Sequence, residues 1–370
     1  MKKSITLPKK TVTKPAKVSK VAKRVQHPRY IVGIDVSNAT FAATVLQPGK
    51  QQRITRDDFA NTTEGSEAFL VWIREQGATT RSTQICMENT GVYGQLLSHM
   101  IYDAKWCIAV EVPMKVKRSF TRAIKSDAVD SLQIAEYAMR FADQLTPWMP
   151  ASIALQQIHS LLSAREQFVK VCTALQNART AKLRAVNAPT VIETNFSDAI
   201  KACKKSIKAI EKEIESIINA NPDLKRAVEL LRTIPGVQTL LAANLISATG
   251  GTLHERTPEQ LGAWLGVCPH EHTSGTSVRS KPKSTGHGNA RIRKLLHLAA
   301  RSLKTHNKEM QRYFQQKVRE GKHPSLILNN IANRLLRWIV GILKSNKPFD
   351  LNHISARQET KRKTLKLVRS

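Results

Sequence analysis

Acidic residues are scarce in this chain of 370 residues: 28 Asp and Glu stand against 59 Lys and Arg, a formal charge of +31. With an isoelectric point near 10.3, the default partner is a polyanion, nucleic acid before acidic lipid, and charge alone does not choose between DNA and RNA. Cysteine is also sparse. Cys86, Cys107, Cys172, Cys203 and Cys268 are scattered, odd in number and contain no C-x-x-C pair. That argues against a zinc ribbon or a disulfide framework and leads us to expect a reducing compartment. No run of about 18 apolar residues occurs, so no membrane span is expected. The basic N-terminus lacks the apolar stretch of a secretory signal. What is present is 41% apolar residues, ordinary for a folded protein and enough for two or three domains.

Residues 1–29 are rich in Lys, Thr, Val and Pro and contain no acid. They read as an arm too polar to fold alone, either solubilising or an electrostatic contact to nucleic acid. From Tyr30 the pattern changes. "YIVGIDVSNATFAATVL" reads as two strands joined at Ser37-Asn38, with a third near Arg53–Phe59. Helical periodicity covers Glu64–Gln76, "STQICMEN" reads as a buried strand, Gly91–Ala104 as a helix, "WCIAVEV" as a strand and Asp127–Ala142 as an amphipathic helix. Three strands followed by alternating helices and strands define an α/β domain with a mixed sheet over 30–150, in an order matching RNase-H-like (RuvC-like) folds by analogy.

Residues 151–223 carry no strand signal. Ile200, Cys203, Ile207, Ile210, Ile214 and Ile217 repeat three and four apart, a seam suiting either a coiled coil between chains or a helical hairpin within one. The region 224–352 reads as helical. In "LLRTIPGVQTLLAANLI" Pro235-Gly236 separates two apolar helices. There Gly236 suits a phosphate-binding helix-hairpin-helix or a plain packing turn. Asn289 is placed to cap a helix with Ile292, Leu295, Leu296, Ala299 and Leu303 on one face, and a last helix spans Ser325–Lys344. Residues 353–370 form a basic tail.

In so basic a chain, acids at strand ends stand out. Asp35 lies inside "VGIDVS", Glu88 closes "ICMEN", and Asp127 and Asp130 lie three apart on one helical face. Any one alone suits a cap or a surface position. In an RNase-H-like sheet the first and fourth strands are neighbours and the later helix crosses beside them, so all four can converge. Four carboxylates together require cations. A pair of Mg²⁺ ions about 4 Å apart would neutralise them and clamp a phosphodiester.

"HTSGTSVRSKPKSTGHGNARIRK" (272–294) lies in an acid-free stretch and reads as a flexible loop holding Arg279, Lys281, Lys283, Arg291, Arg293 and Lys294. Ser274 precedes Gly275, where the backbone can approach a bulky phosphodiester. The residues leave two readings open: phosphate binding alone, or a serine nucleophile whose alkoxide the cations favour.

"GIDVS", "MENTGVYG", "KSDAVDSLQIAEYA", "IPGV", "LGAWLGVCPHEHTSGTSVRS" and "STGHGNARIRKLLHLAA" occur here in that order. The chain so resembles, over about residues 30–350, the DEDD transposases of insertion sequences, the IS-one-ten family with its IS-eleven-eleven subgroup, related to the Piv DNA invertases. The resemblance implies a RuvC-like catalytic domain with its Asp-Glu-Asp-Asp set at Asp35, Glu88, Asp127 and Asp130 holding Mg²⁺. It also implies a serine nucleophile at Ser274, with Ser277 the nearest competitor. It further implies donor and target DNA as substrates, a guide or bridge RNA as partner, homodimers pairing into a tetramer, and a bacterial, cytoplasmic, nucleoid-associated location. The long basic arm departs from the pattern, as does Gln238 at a position where the hairpin commonly has Gly.

Overall fold

The computed structural model describes residues 25, 27–49, 53–120, 127–274, 278–284 and 288–350, with the backbone alone for 127–129 and 269–283. The basic arm falls almost entirely, and the tail 353–370 entirely, outside these residues. The chain divides into two compact units at Pro150/Ala151, and each is described by itself.

The first unit is a five-stranded sheet of order β3-β2-β1-β4-β5. Its strands are β1 (Tyr30–Val36), β2 (Thr40–Gln47), β3 (Arg53–Ala60), β4 (Thr83–Glu88) and β5 (Cys107–Glu111). β1, β2 and β3 are successive antiparallel neighbours, whereas β1, β4 and β5 run parallel. This mixed order is the RNase-H-like one expected from the sequence. α1 (Thr63–Glu75) begins where the Thr62 hydroxyl accepts the Gly65 N–H at 3.2 Å, a serviceable N-cap. α2 (Gln95–Asp103) starts later than its periodicity suggested. Gly91 adopts φ +72°, a left-handed turn that keeps residues 91–94 out of the helix. A short α3 (Pro113–Arg118), opened by proline at its first position, was not expected. α4 (Asp127–Arg140) closes the unit.

Helices cover both faces of the sheet, which explains why β1, β2, β4 and β5 are buried nearly throughout rather than alternating, while the edge strand β3 is mostly exposed. Val32, Ile34, Phe41, Val45, Ile85 and Met87 pack against Phe69, Ile73, Leu97 and Ile101 of α1 and α2. On the opposite face Ile31, Leu46, Cys86 and Ala109 pack against Ile134, Ala135 and Ala138 of α4. The fit of α4 onto β1 is close. A Cβ on Gly33 would overlap the Ser131 carbonyl oxygen and the Ala135 nitrogen. Beside it the Ser131 and Thr44 hydroxyls share a buried hydrogen bond of 2.8 Å.

The second unit is mainly helical. α5 (Ile153–Lys182) and α6 (Thr190–Ala220) pack along each other as a hairpin, tied by Arg165–Glu211 and Arg179–Glu193 ion pairs. The seam follows the apolar repeat: Ile200 and Ile214 are buried, and Cys203, Ile207, Ile210 and Ile217 half-buried. The intrachain hairpin is therefore the arrangement formed. Leu155, Ile158, Leu162, Ile214 and Ile218 share one core with the helices that follow. Those are α7 (Pro222–Arg232), α8 (Thr239–Ala248), α9 (Pro258–Leu265), α10 (Ala290–His306), α11 (Lys308–Arg319) and α12 (Pro324–Ser345). α12 is long and apolar enough to cross a membrane by composition. Its Ile327, Ile331, Leu335, Leu336 and Ile339 are buried in this core.

One expectation is corrected. The stretch read as a flexible loop within a helical region contains a two-stranded ribbon, β6 (Pro269–Ser274) paired antiparallel with β7 (Val278–Ser284). Its Thr, Ser, Val and His suit a strand, but Lys, Arg and Pro interrupt the apolar alternation that marks one.

The Gly33 contact gives a prediction. Gly33→Ala forces a methyl group into the α4 backbone and should cost about 1–3 kcal/mol or more in urea unfolding. Gly49→Ala, with nothing within 4 Å of the added Cβ, should change stability by less than about 0.5 kcal/mol.

Candidate active site

Register assembles the acids. Ile34 pairs with Met87 in the parallel ladder, so Asp35 and Glu88 stand side by side one step further on, at the C-terminal ends of neighbouring strands. Asp35 lies two residues past Gly33 and Glu88 two past Cys86, so by strand alternation both face the α4 side. Asp130 immediately precedes Ser131, the residue pressed onto Gly33. Both Asp35 and Glu88 are half-buried.

The electrostatics agree with this placement. Burial pushes the Glu88 carboxyl above its ordinary range, and the negative charges of Asp35 and Asp130 push it further, with Lys117 opposing. Glu88 is thus close enough to Asp35 and to Asp130 to feel the charge of each. Asp127 is the first residue of α4, one turn before Asp130. Its side chain lies outside the described atoms.

A fifth carboxylate was missed. Glu111 pairs with Glu88 across β4 and β5 and is buried at 7% exposure. Lys115 neutralises it with an ion pair of 3.0 Å, and this contact raises the Lys115 ammonium's pKa. Its signal in the sequence was the same as that of Glu88, an acid closing an apolar strand. Beneath these acids, burial and the charges of Glu111 and Glu88 push the Cys86 thiol well above its usual range, so Cys86 stays a neutral core residue.

Asn61 was also missed. Its side-chain amide donates to the Ser37 carbonyl at 3.0 Å and to the Tyr93 carbonyl at 3.0 Å, and its backbone N–H donates to Ala39 at 2.8 Å. One side chain thus joins the turn that follows Asp35 to the loop that follows Glu88. No local pattern announces such a link.

The donor set suits a hard divalent cation. Oxygen ligands carrying mutual repulsion are what such an ion relieves. Among the described residues no three His, Cys, Asp or Glu form a group able to hold a metal. Asp35, Glu88 and Asp130 therefore lie at one end of the sheet without closing into a ligand set, and with Asp127 they are the residues that would have to draw together to hold an ion.

In the second unit, Ser274 ends β6 and is paired in register with Val278. Gly275, Thr276 and Ser277 lie outside the described residues. Arg279, Lys281 and Lys283 occupy alternate positions of β7. The base of the ribbon is fixed. Gly266 (φ +67°) ends α9 in the left-handed region, and the Val267 carbonyl accepts from Asn329 and Asn333 of α12 at 2.8 and 3.2 Å. On the return, Gly288 (φ +101°) presses so closely on Trp264 and Leu265 that a Cβ would overlap the Trp264 carbonyl. Asn289 caps α10 through the Ile292 N–H at 3.2 Å, as expected.

The expected cations divide by setting. Arg293 donates to the Leu265 carbonyl at 3.1 Å, a contact that also secures the ribbon's base. Lys294 is exposed. Arg291 is half-buried with an unpartnered Nε. Burial lowers its pKa, Glu166 opposes this and Arg165 adds to it. Burial, and then the charge of Arg291, lower the His159 pKa below its ordinary value. Gly236, at φ +84°, sits against the Ala299 carbonyl of α10, so its lack of a side chain is needed for packing.

An RNase-H-like sheet with acids gathered at its β1 and β4 ends is the architecture of a metal-dependent enzyme acting on nucleic-acid phosphodiesters. The chain belongs to the transposases of the IS116/IS110/IS902 family, the IS-one-ten family whose motifs it carries. The family model for the DEDD transposase domain matches residues 32–188, and that for "Transposase IS116/IS110/IS902 family" matches residues 228–315. It is similar to the pilin gene-inverting protein of Moraxella bovis, 24% identical over 323 residues, 86% of this chain and 97% of that protein. The "Transposase for insertion sequence element IS1111A" of Coxiella burnetii is 24% identical over 309 residues, 75% of this chain and 79% of its own. Thermus thermophilus RuvC aligns over 32% of this chain and 99% of its own at 15% identity, with a TM-score of 0.25. The family makes this chain a DNA recombinase, and its fold implies a divalent metal ion.

Asp35→Asn should abolish DNA strand cleavage while leaving DNA affinity equal or higher. It removes a metal ligand and one charge that repels the phosphate backbone. A gel cleavage assay beside a filter-binding titration checks both halves, and full cleavage by the variant would overturn the assignment.

Proposed function

We propose that this chain cuts and rejoins DNA at the ends of an insertion sequence through a transient Ser274 phosphoserine, with Asp35, Glu88, Asp127 and Asp130 holding Mg²⁺. The observation that carries the reading is that Asp35 and Glu88 close neighbouring parallel strands on the α4 side, with Asp130 near enough for its charge to act on Glu88, in a chain of charge +31. Such a cluster repels DNA unless a cation sits on it, so it has no use in a protein that merely coats DNA.

Ser274 Oγ attacks a backbone phosphorus, a P–O bond to the neighbouring sugar breaks, and that sugar oxygen leaves as a hydroxyl. The seryl proton is lost and the leaving oxygen gains one. Attack by the hydroxyl of an incoming strand reverses the exchange and frees the serine, so the phosphodiester is conserved without an external energy source. Mg²⁺, when bound, supplies positive charge against the attacking and leaving oxygens. The cations at Arg279, Lys281, Lys283, Arg291 and Lys294 would hold the backbone, with Arg293 and Gly236 assisting through the structure that presents them. Partner choice follows the family resemblance: donor and target DNA, a bridge RNA that pairs with both, and dimers pairing into a tetramer in which serine and carboxylates meet across chains. The protein would act at the bacterial nucleoid.

A second reading, an invertase that needs no RNA, draws on the similarity to the pilin gene-inverting protein over 97% of that protein's length. Ribonuclease separates the two. Under the bridge-RNA reading, thorough digestion removes site-specific recombination and leaves salt-sensitive general DNA binding. Undiminished recombination favours the invertase.

Ser274→Ala should fold, bind nucleic acid and form no covalent protein–DNA adduct, because alanine offers no oxygen to phosphorus. Ser277→Ala, equal in charge and close in sequence, should still form the adduct on a denaturing gel. The reverse pattern moves the nucleophile by three residues. A wild type that cuts without an adduct makes water the nucleophile and leaves a RuvC-type nuclease.

A further inference from the structure

The edge that carries the acids also carries exposed apolar side chains. Val92 is 71% and Tyr93 46% exposed, in the loop directly after Glu88. Leu96, at the start of α2, is also exposed, as are Val112 and Met114 directly after Glu111. The Asn89 N–H donates to the Glu111 carbonyl at 2.8 Å, so the loop and the end of β5 are joined. An exposed tyrosine on a loose loop would mean little. Here the loop is held at both ends: the Asn89 contact to Glu111 holds its start, and at its end Asn61 binds the Tyr93 carbonyl at 3.0 Å while Gly94 packs so closely on Met87 and Thr90 that an added Cβ would lie 2.7 Å from Met87 Cε. The same Asn61 amide holds Ser37, two residues beyond Asp35. Tyr93 is therefore presented at a fixed place relative to Asp35 and Glu88.

We propose that Tyr93, with Val92 beside it, stacks on an unpaired nucleobase next to the scissile phosphate, so that the DNA strand being cut is unstacked at the site. This rests on the functional reading above, which puts the scissile phosphate at the Asp35–Glu88 edge. The loop begins directly after Glu88 and Asn61 ties it to the turn after Asp35, so a base neighbouring that phosphate is the one it would meet. Paired bases in a duplex offer only their edges, and an aromatic face needs an exposed base face to stack on. Charge favours this occupant. Lys117 lies three residues beyond the exposed Met114 on α3, so this end of the sheet carries exposed apolar side chains, acids and a cation together. That suits a nucleotide, with its flat apolar base and charged backbone, better than a lipid or a protein surface. The occupant is DNA because the cut strand is DNA.

The experiment uses the full-length protein in Ca²⁺, which fills oxygen-ligand sites while slowing cleavage. The probe is a 20-nucleotide DNA carrying one 2-aminopurine, offered single-stranded, as a duplex with a short unpaired bubble at the 2-aminopurine, and fully paired. The wild type should quench 2-aminopurine in the single strand and the bubble. Tyr93→Ala should lose the quench and bind the bubble roughly tenfold more weakly, the size expected for one stacked base, with duplex affinity unchanged. Tyr93→Phe, which keeps the ring, should retain both. Unfolding midpoints show whether Tyr93→Ala is folded, and Tyr93→Phe carries the test if it is not. Equal quenching by wild type and Tyr93→Ala overturns the inference, as does Tyr93-dependent binding of an RNA of the same sequence but not of the DNA. Cleavage of the same probes in Mg²⁺ by wild type and Asp35→Asn keeps the two ideas apart. A dead Asp35→Asn with an unaffected Tyr93→Ala leaves the function standing and removes the stack. An active Asp35→Asn with a Tyr93-dependent quench does the opposite.

Discussion

How near α4 can come to β1 decides the geometry of the acids. Gly33 has no side chain, so the Ser131 carbonyl and the Ala135 nitrogen lie where a Cβ would be. The adjacent Thr44–Ser131 hydrogen bond fixes the helix along its own axis as well as its height above the sheet. Asp35 is two residues along the strand from that contact, and Asp130 is one residue along the helix from it. The distance between the two carboxylates is therefore a consequence of a missing methyl group. Glu88 joins them through ladder register alone, because Met87 is paired with Ile34. A one-residue slip of β4 would turn Glu88 to the opposite, apolar face.

This dependence explains what the sequence made legible. The strands and the four acids were readable because an acid inside or closing an apolar run is a local signal, and Asp127 and Asp130 share a face by spacing alone. The α6 seam was readable for the same reason, since Ile200, Ile207 and Ile214 repeat within one helix. Gly33 was not readable as the seat of α4: its partner lies 98 residues on, and glycine in a strand is an ambiguous sign. Asn61 joins residues 24 and 32 positions away without any motif of its own. The ribbon at 269–284 was hidden by its lysines and proline, which break the alternation on which a strand reading depends. Glu111 carried the same sign as Glu88 and was passed over. The difference between them is electrostatic. Glu111 has Lys115 at 3.0 Å, while the charges around Glu88 are mostly of its own sign.

That contrast separates structure from chemistry at one sheet edge. A buried carboxylate with a cation in contact is already satisfied and has no call on a further ion. Glu88, acted on by the charges of Asp35 and Asp130 with Lys117 opposing them, gains from further positive charge. Two neighbouring acids, paired directly across a ladder, thus have different uses, and Lys115 offsets the charge that Glu111 would otherwise add beside the set.

The ribbon in the second unit is built on a related principle. Val267 is buried and its carbonyl is held twice, by Asn329 and Asn333 of α12. Gly288 closes the return strand against Trp264 and Leu265, and Arg293 binds the Leu265 carbonyl. Three helices thus fix the ribbon where it leaves the core, and Ser274 is six residues beyond Cys268. Under the proposed function, a nucleophile at Ser274 that must meet a phosphodiester in line would gain most of its rate from being held in place beforehand. A long loop of Ser, Gly, Lys and Thr would lose that advantage to its own conformational entropy. Pairing β6 with β7 removes most of that freedom and keeps Arg279, Lys281 and Lys283 on the strand paired with the one that ends at Ser274.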